Sequence, residues 1–316
     1  MSKRLPTEFA INMVLEKFLL IQQSDLENVS KTNYFDERNP CHIYFIFRSP
    51  RLSLIPEKTK VTTENIFFYA YEHNKDNKIE HELKFLNNLD TINVSVESDY
   101  PYNYFKIYKN GHLYSEGKVQ FLFQTNPFIS KSFFDLEVLY IGQSYGVEGA
   151  RTAPDRLKSH STLQGIYAEA ISNNPDSEII LGLASFNEMS ITVMNGKQKY
   201  TDDEIAKDSI RAKSILTKLV TEGMNEQQKI NFTEASLIRY FQPPYNKIYK
   251  ESFPNPAHKT YSECYDLDIN SVGFEMQTKE MVNCEVYSET IEKNASHRTF
   301  FLLHSPADRK NIFDIF

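Results

Sequence analysis

The apolar positions near the start of the chain follow a helical spacing. Between residues 8 and 24, Ala10, Met13, Val14, Phe18 and Ile21 recur as they would on one helix face. Further apolar residues occupy the other faces of the same segment. The pattern therefore predicts a largely buried helix over residues 8–24.

From His42 onward the pattern changes to short aromatic and β-branched runs separated by polar turns. The runs HIYFIF, ENIFFYAY, TINVSV and YFKIYK are typical of strands, and KNG before His112 is a hairpin signal. We interpret about 30–125 as β-rich and 1–125 as a first domain. A packed sheet core is the simpler interpretation of the aromatic runs; a binding face is the alternative.

Strand and helix patterns alternate over residues 126–250, which predicts a second, α+β domain. VLYIG and SEIILGLASF indicate strands, and APDRLKSH and TLQGIYAEAISNN indicate helices. Two longer helices follow, the first ended by Gly223 and the second by Pro243 and Pro244. Residues 251–316 form a β-rich C-terminal extension, either as a small sheet of their own or as strands that complete the N-terminal sheet.

Composition sets limits on the class of protein. The 316 residues are 41% hydrophobic and 24% charged, as in globular proteins, with 23 Phe and 19 Tyr but no Trp. The net charge of -7 argues against a large non-specific nucleic-acid surface. It leaves open a local basic patch or a basic protein partner.

Cysteines and terminal segments indicate the compartment. Cys41, Cys264 and Cys284 are odd in number and lack metal-ligand spacing, which predicts free thiols in a reducing compartment. Charged residues interrupt the apolar N-terminal run, which argues against a signal peptide. No run approaches the ~18 apolar residues of a membrane span. We expect a cytoplasmic protein without a membrane partner.

Candidate chemistry begins on the helix after VLYIG. Arg156 and His160 are four residues apart and share one helix face. An arginine binds two phosphate oxygens at once, and a histidine can donate to the same group or move a proton. A solvated basic face that includes Lys158 is the simpler alternative.

Glu234 lies at the edge of an apolar helix stripe, where a carboxylate is costly to leave unpaired. It could bind Mg²⁺, which takes few carboxylates and several waters. A salt bridge with Arg239 or Lys229 is the alternative.

Asn246 and Tyr140 are each ambiguous. Asn246 follows two prolines and could either hold a loop or hydrogen-bond a phosphate. Tyr140 ends a strand, where a tyrosine commonly belongs to the core. Its phenol could also orient or deprotonate water if cations lower its pKa.

The order of these residues resembles the GIY-YIG nuclease family over about residues 117–250. Tyr140-Ile141-Gly142 is similar to the second half of the name motif, and Arg156 and His160 match the family's helix. Glu234 matches its single metal-binding glutamate, and Asn246 the asparagine of its closing loop.

The resemblance implies an α+β fold in which a small antiparallel sheet is flanked by helices. It also implies hydrolysis of DNA phosphodiester bonds with one Mg²⁺. Tyr140, Arg156 and His160 would be catalytic and Glu234 would hold the metal. Asn246 would contact the substrate. Lys158 on the basic helix face and Arg151, on a loop that is long for the family, are further candidates for substrate contacts.

The first motif of the family, expected on the strand before YIG, is not intact. The literal Gly165-Ile166-Tyr167 comes after Arg156 and inside a helical pattern, so it is a decoy. The only aromatic residues in the run from Gly117 to Phe123 are two phenylalanines, which cannot accept a proton. This leaves Tyr114 as a displaced substitute or Tyr140 as the base.

The leading hypothesis is therefore a Mg²⁺-dependent DNA endonuclease of restriction or defence type. The alternative is a catalytically impaired scaffold of the same kind that binds nucleic acid or protein. A different phosphodiester or nucleotide substrate is a third hypothesis. The sequence specifies neither a recognition site nor an oligomeric state.

Overall fold

A computed structural model describes residues 4–29, 31–74, 77–89, 91–126, 135–145, 153–157, 161–194, 198–305 and 307–313. The protein is a mixed α+β fold. The strands are β1 (Thr7–Ile21), β2 (Ile43–Pro50), β3 (Leu52–Leu54), β4 (Lys60–Val61), β5 (Asn65–Asn74), β6 (Asn77–Leu86), β7 (Val94–Glu97), β8 (Tyr104–Lys109), β9 (His112–Lys118), β10 (Leu136–Gln143), β11 (Ser177–Met194), β12 (Ser271–Gln277), β13 (Val286–Tyr287) and β14 (Ser296–Leu302). The helices are α1 (Leu26–Val29), α2 (Val119–Thr125), α3 (Ala153–Leu157), α4 (Ser161–Asn173), α5 (Asp202–Thr221), α6 (Glu226–Phe241), α7 (Glu263–Asp266) and α8 (Lys279–Val282).

A seven-stranded sheet forms the centre of the molecule, in the order β13-β10-β2-β11-β1-β12-β14. The pairs β10–β2, β2–β11 and β11–β1 are antiparallel. By contrast, β1 pairs with β12, and β10 with β13, in parallel. The sheet is thus larger than the small antiparallel sheet expected. It takes strands from all three predicted segments, 1–125, 126–250 and 251–316, and the C-terminal strands β12 and β14 complete it next to β1.

The predicted N-terminal helix is wrong: its residues form strand β1. This strand pairs with β11 from Thr7 opposite Met194 to Ile21 opposite Leu181. It is buried on both faces, so its sequence is a nearly continuous apolar run. Such a run does not distinguish a buried helix from a buried strand, and long-range pairing decided the outcome.

Two small sheets and α2 are inserted between β2 and β10. In one sheet, β3 and β4 share one edge of β5, while β6 takes the other; the second has the order β7-β8-β9. Buried residues of this insertion, among them Phe68 and Phe105, join the same hydrophobic core as Phe45 of β2. The predicted β-rich region is therefore a large connection between two neighbouring central strands.

The two faces of the central sheet have different cores. On one face, α6 and the insertion pack in the larger core. On the other face, α1, α3 and α4 pack around Tyr44 and Ile46 of β2. The alternation of side chains along β2 therefore directs Tyr44 and Phe45 to opposite faces.

The two long helices end as the sequence predicts. Thr201 caps α5 in a reciprocal bond with Glu204, and Gly223 follows that helix with φ +68°, a conformation that glycine adopts without strain. α6 ends at Phe241, just before the two prolines. Within the described residues, no helix has the length and apolar composition needed to cross a membrane.

Candidate active site

Two tyrosines meet on the pair of strands that includes the YIG motif. Tyr44 of β2 lies opposite Gly142 of β10, and Tyr140 lies two residues earlier on β10. The two rings stack with centroids 6.2 Å apart and an interplanar angle of 29°, and their hydroxyls are hydrogen-bonded. The site is therefore built on rigid paired strands, which hold side chains more accurately than loops do.

Gly142 makes room for the Tyr44 phenol. A Cβ at position 142 would lie 2.4 Å from the Tyr44 hydroxyl and 2.8 Å from the Tyr140 ring. Tyr44 is only 1% exposed, so its ring has little space in which to move away. The glycine of the YIG motif is thus a steric requirement of the stacked pair.

We predict that Gly142→Ala displaces the Tyr44 phenol and lowers any activity of this site by at least about 100-fold. The cost in stability should be about 1–3 kcal/mol, as for other overpacked positions. Tyrosine near-ultraviolet circular dichroism and a thermal scan measure the two effects. Gly165→Ala is the control, because a Cβ there meets nothing within 4 Å; an equal loss in both variants contradicts the prediction.

Arg156 faces the tyrosine pair from α3. The neighbouring Ala153 and Leu157 are buried, and the backbone N–H of Ala153 donates to Cys41 O at 2.9 Å, which anchors the helix beside the start of β2. The exposed guanidinium donates a hydrogen bond to the Tyr44 hydroxyl. Arg156 thus combines solvent access with a fixed contact to the site.

Glu234 approaches the same residues from α6. Its carboxylate accepts the backbone N–H of Gln143, directly after Gly142, and it acts electrostatically on both tyrosines. The salt bridge considered as an alternative is not formed with either expected partner. Arg239 pairs with Glu251 at 2.9 Å and Lys229 with Glu226 at 2.7 Å.

Burial dominates the protonation of the site. It raises the pKa of the Glu234 carboxyl to about 8, against the opposing effects of the Gln143 N–H and the Arg156 charge. Burial also raises the pKa of the Tyr44 phenol well above its ordinary range and raises the pKa of the Tyr140 phenol. At neutral pH the carboxyl is therefore mostly protonated and both phenols are neutral in the protein alone.

The donor set is compatible with a hard divalent cation. Among the described residues no three His, Cys, Asp or Glu side chains form a metal-binding group. Mg²⁺ requires only one or two carboxylates, with water and substrate oxygens as its other ligands. A desolvated carboxylate beside phenol oxygens meets this requirement, whereas the three cysteines are buried and free.

Asn246 has a structural role. Its side-chain oxygen accepts the Ile141 N–H at 2.9 Å and its amide donates to the Ile141 carbonyl at 2.8 Å. The neighbouring Tyr245 N–H donates to Leu139 O. The loop after α6 thus pairs like a short strand with β10, and the Asn246 amide positions the YIG strand; its predicted substrate contact stays a prediction.

We predict that Asn246→Ala lowers the free energy of unfolding by about 2–3 kcal/mol, because two buried backbone groups of Ile141 lose their partner. Thermal and urea unfolding measure this effect. Asn173→Ala, at an exposed position, should change stability by less than about 0.5 kcal/mol. Unchanged stability of Asn246→Ala would assign the side chain to substrate binding instead.

Tyr44 is the site residue that the sequence did not identify. The expected first-motif strand at Gly117–Phe123 is wrong, since this segment joins β9 to α2 and β9 pairs with β8. Tyr114 is 60% exposed on β9, and the decoy at 165–167 is helical in α4. A tyrosine on a predicted strand was present as Ile43-Tyr44 in HIYFIF, but residues 51–135 separate that strand from the YIG strand.

Three predicted site residues, Arg151, Lys158 and His160, lie outside the described residues. The structure brings together Tyr140, Arg156 and Glu234 of the predicted set and adds Tyr44.

No family model, curated protein or solved structure matches this chain. Its function is therefore inferred from the contacts among its own residues.

Proposed function

We propose that the protein is a Mg²⁺-dependent phosphodiester hydrolase with DNA as its substrate, in the manner of GIY-YIG endonucleases. The observation that carries this proposal is the convergence of Tyr44, Tyr140, Arg156 and Glu234. A stacked phenol pair, one exposed guanidinium and one desolvated carboxylate suit a phosphodiester better than a carbonyl or a sugar.

Arg156 is proposed to bind the scissile phosphate. Its guanidinium is exposed on one side and hydrogen-bonded to Tyr44 on the other. Two N–H donors can contact two phosphoryl oxygens and stabilise the charge that develops there. The bond to Tyr44 holds the bound phosphate next to the phenol pair.

Tyr44 and Tyr140 are proposed to orient the attacking water. Because burial keeps both phenols neutral, they act through hydrogen bonds rather than as preformed phenolates. Arg156 is the positive charge that favours ionisation of Tyr44 during proton transfer.

Glu234 is proposed to hold the metal. Its carboxylate lies next to both tyrosines and has no fixed positive partner in Arg239 or Lys229. A bound Mg²⁺ would stabilise charge on the phosphoryl group and the leaving oxygen. The Gln143 N–H orients the carboxylate through a backbone bond.

A missing first-motif tyrosine and the acidic charge are the two grounds for the impaired-scaffold alternative. Tyr44 now supplies a hydroxyl on the strand that pairs with YIG, so only the net charge of -7 supports that alternative. An acidic chain can still bind DNA through a narrow site, with weaker non-specific attraction.

The test is cleavage of plasmid and single-stranded DNA with MgCl₂ by wild type, Glu234→Ala and Arg156→Ala. Wild type should cleave, and both variants should be at least about 100-fold slower. Arg298→Ala, on the remote strand β14 and 55% exposed, should behave as wild type. Equal activity in all four proteins excludes this site, and DNA binding without cleavage over a wide range of metals and pH favours the binding-module alternative.

A further inference from the structure

The insertion contains a separate cavity that combines cations with exposed aromatic rings. It has a volume of about 300 Å³, at the lower end for small-ligand pockets. Arg51, Lys78, Tyr71, Tyr100 and Tyr102 are among the residues that line it. The four residues of the candidate active site, Tyr44, Tyr140, Arg156 and Glu234, do not line this cavity.

The charge in this cavity is positive. Arg51 and Lys78 both lower the pKa of the neighbouring His73, in addition to the larger effect of burial. Among the described residues, the buried Arg51 Nε has no hydrogen-bond partner. Glu57 is the carboxylate of the lining, and Asp176 lies 3.9 Å from the His73 ring behind it, so Arg51 and Lys78 are the permanent cations that line the cavity itself. Two cations in the lining favour an anionic ligand, since a charged donor binds a phosphate oxygen more strongly than a neutral one does.

The aromatic side of the cavity is suited to a planar ligand. Tyr100 is 86% exposed and Tyr102 is 42% exposed, and their rings meet edge to face at 6.1 Å. Tyr102 has φ 65°, a left-handed conformation that a tyrosine rarely adopts. Its carbonyl accepts the Leu54 N–H at 2.7 Å, which holds that conformation. A strained backbone that presents an exposed ring is typical of a binding site.

We propose that this cavity binds a nucleotide, with its base on Tyr100 and its phosphate on Arg51 and Lys78. Lys78 Nζ lies 5.5 Å from the centroid of the Tyr71 ring, which places the cation beside an aromatic wall. A free nucleoside monophosphate and the phosphorylated 5′ end of a single strand present the same chemistry. The site goes beyond the proposed phosphodiesterase activity and does not depend on it.

Binding is measured in EDTA, so that cleavage cannot interfere and a failure of the catalytic proposal is seen separately. Calorimetry with AMP, adenosine and inorganic phosphate tests the free ligand. Anisotropy with 3′-fluorescein-labelled dA6, with and without a 5′-phosphate, tests the strand end. AMP or the phosphorylated strand should bind at least about tenfold more tightly than adenosine or the unphosphorylated strand, respectively.

Variants distinguish the aromatic contact to the base from the cationic contact to the phosphate. Tyr100→Ala should weaken binding at least about fivefold through lost stacking, and Lys78→Gln about tenfold through lost charge. Lys60→Gln is the matched control, because Lys60 lies 5.7 Å from the Tyr69 ring on the same small sheet but outside the cavity. No binding of any probe at millimolar concentration, or equal binding by wild type, Tyr100→Ala and Lys78→Gln, overturns the proposal.

Discussion

Tyr44→Phe is expected to lower the rate of DNA cleavage by at least about 100-fold while the protein remains folded. The substitution removes one hydroxyl, which is hydrogen-bonded to Arg156 and Tyr140. General acid–base catalysis by a positioned group contributes about 10²–10⁴-fold, so its loss is readily measured. The ring itself remains stacked on Tyr140 and packed against Gly142.

Tyr114→Phe is the control for Tyr44→Phe. Tyr114 is the alternative that the sequence suggested, and it is 60% exposed on β9. We expect wild-type rates for Tyr114→Phe, and thermal scans to show that both variants are folded. A slow Tyr114→Phe together with a normal Tyr44→Phe would move the active site into the insertion and contradict the assignment made from strand pairing.

The second large effect is expected at Glu234, because its protonation couples the stability of the protein to pH and to Mg²⁺ binding. In the unfolded chain its pKa is about 4.5, and in the folded protein it is about 8. Between these values the unfolded chain has released the proton while the folded chain keeps it. Without a divalent cation, stability should therefore fall as pH rises from about 4.5 to about 8 and level off above that.

Mg²⁺ competes with this proton for the carboxylate. Its apparent affinity should rise by up to about tenfold per pH unit until pH is near 8, with release of a proton on binding. Thermal scans with and without MgCl₂ at pH 6, 7, 8 and 9 measure this, because a ligand of the folded state raises the melting temperature. Cleavage rates should follow the same rise.

Glu234→Gln should remove both the pH-dependent stabilisation by Mg²⁺ and at least about 99% of the cleavage. Glutamine resembles the protonated carboxyl, so this variant should fold normally. Glu226→Gln is the matched control on the same helix, with its 45% exposed carboxylate paired to Lys229. Retention of the Mg²⁺ effect by Glu234→Gln would show that the metal binds elsewhere.

The insertion explains why the second tyrosine was difficult to find. Neighbouring antiparallel strands are usually joined by short connections, so a first-motif strand is expected directly before Tyr140. In this chain, β2 and β10 are neighbours although residues 51–135 lie between them. The insertion thus separates Tyr44 from Tyr140 along the chain. It also carries the aromatic cavity, which is a surface of its own.

Asn246 illustrates a different limit of sequence reasoning. Its position after two prolines indicated either a loop contact or a phosphate contact, and both use the same amide. The hydrogen bonds to Ile141 select the first. A carboxamide can hydrogen-bond the backbone N–H and C=O of a strand edge as readily as it can bind a ligand, and only the groups around it distinguish the two roles.

The sequence by itself indicated the YIG strand, the two long helices and the order of the candidate residues on them. Gly223 and the two prolines after Gln242 marked the C-terminal ends of α5 and α6, and the order Tyr140, Arg156, Glu234 indicated one site. These signals act over a few residues and are readable locally.

Only the tertiary structure decided that residues 7–21 form a strand and that Tyr44 is the partner of Tyr140. Both depend on pairing between segments far apart in the chain. Such pairing is set by burial on both faces of the sheet and by register. Local propensity carries no information on either burial or register.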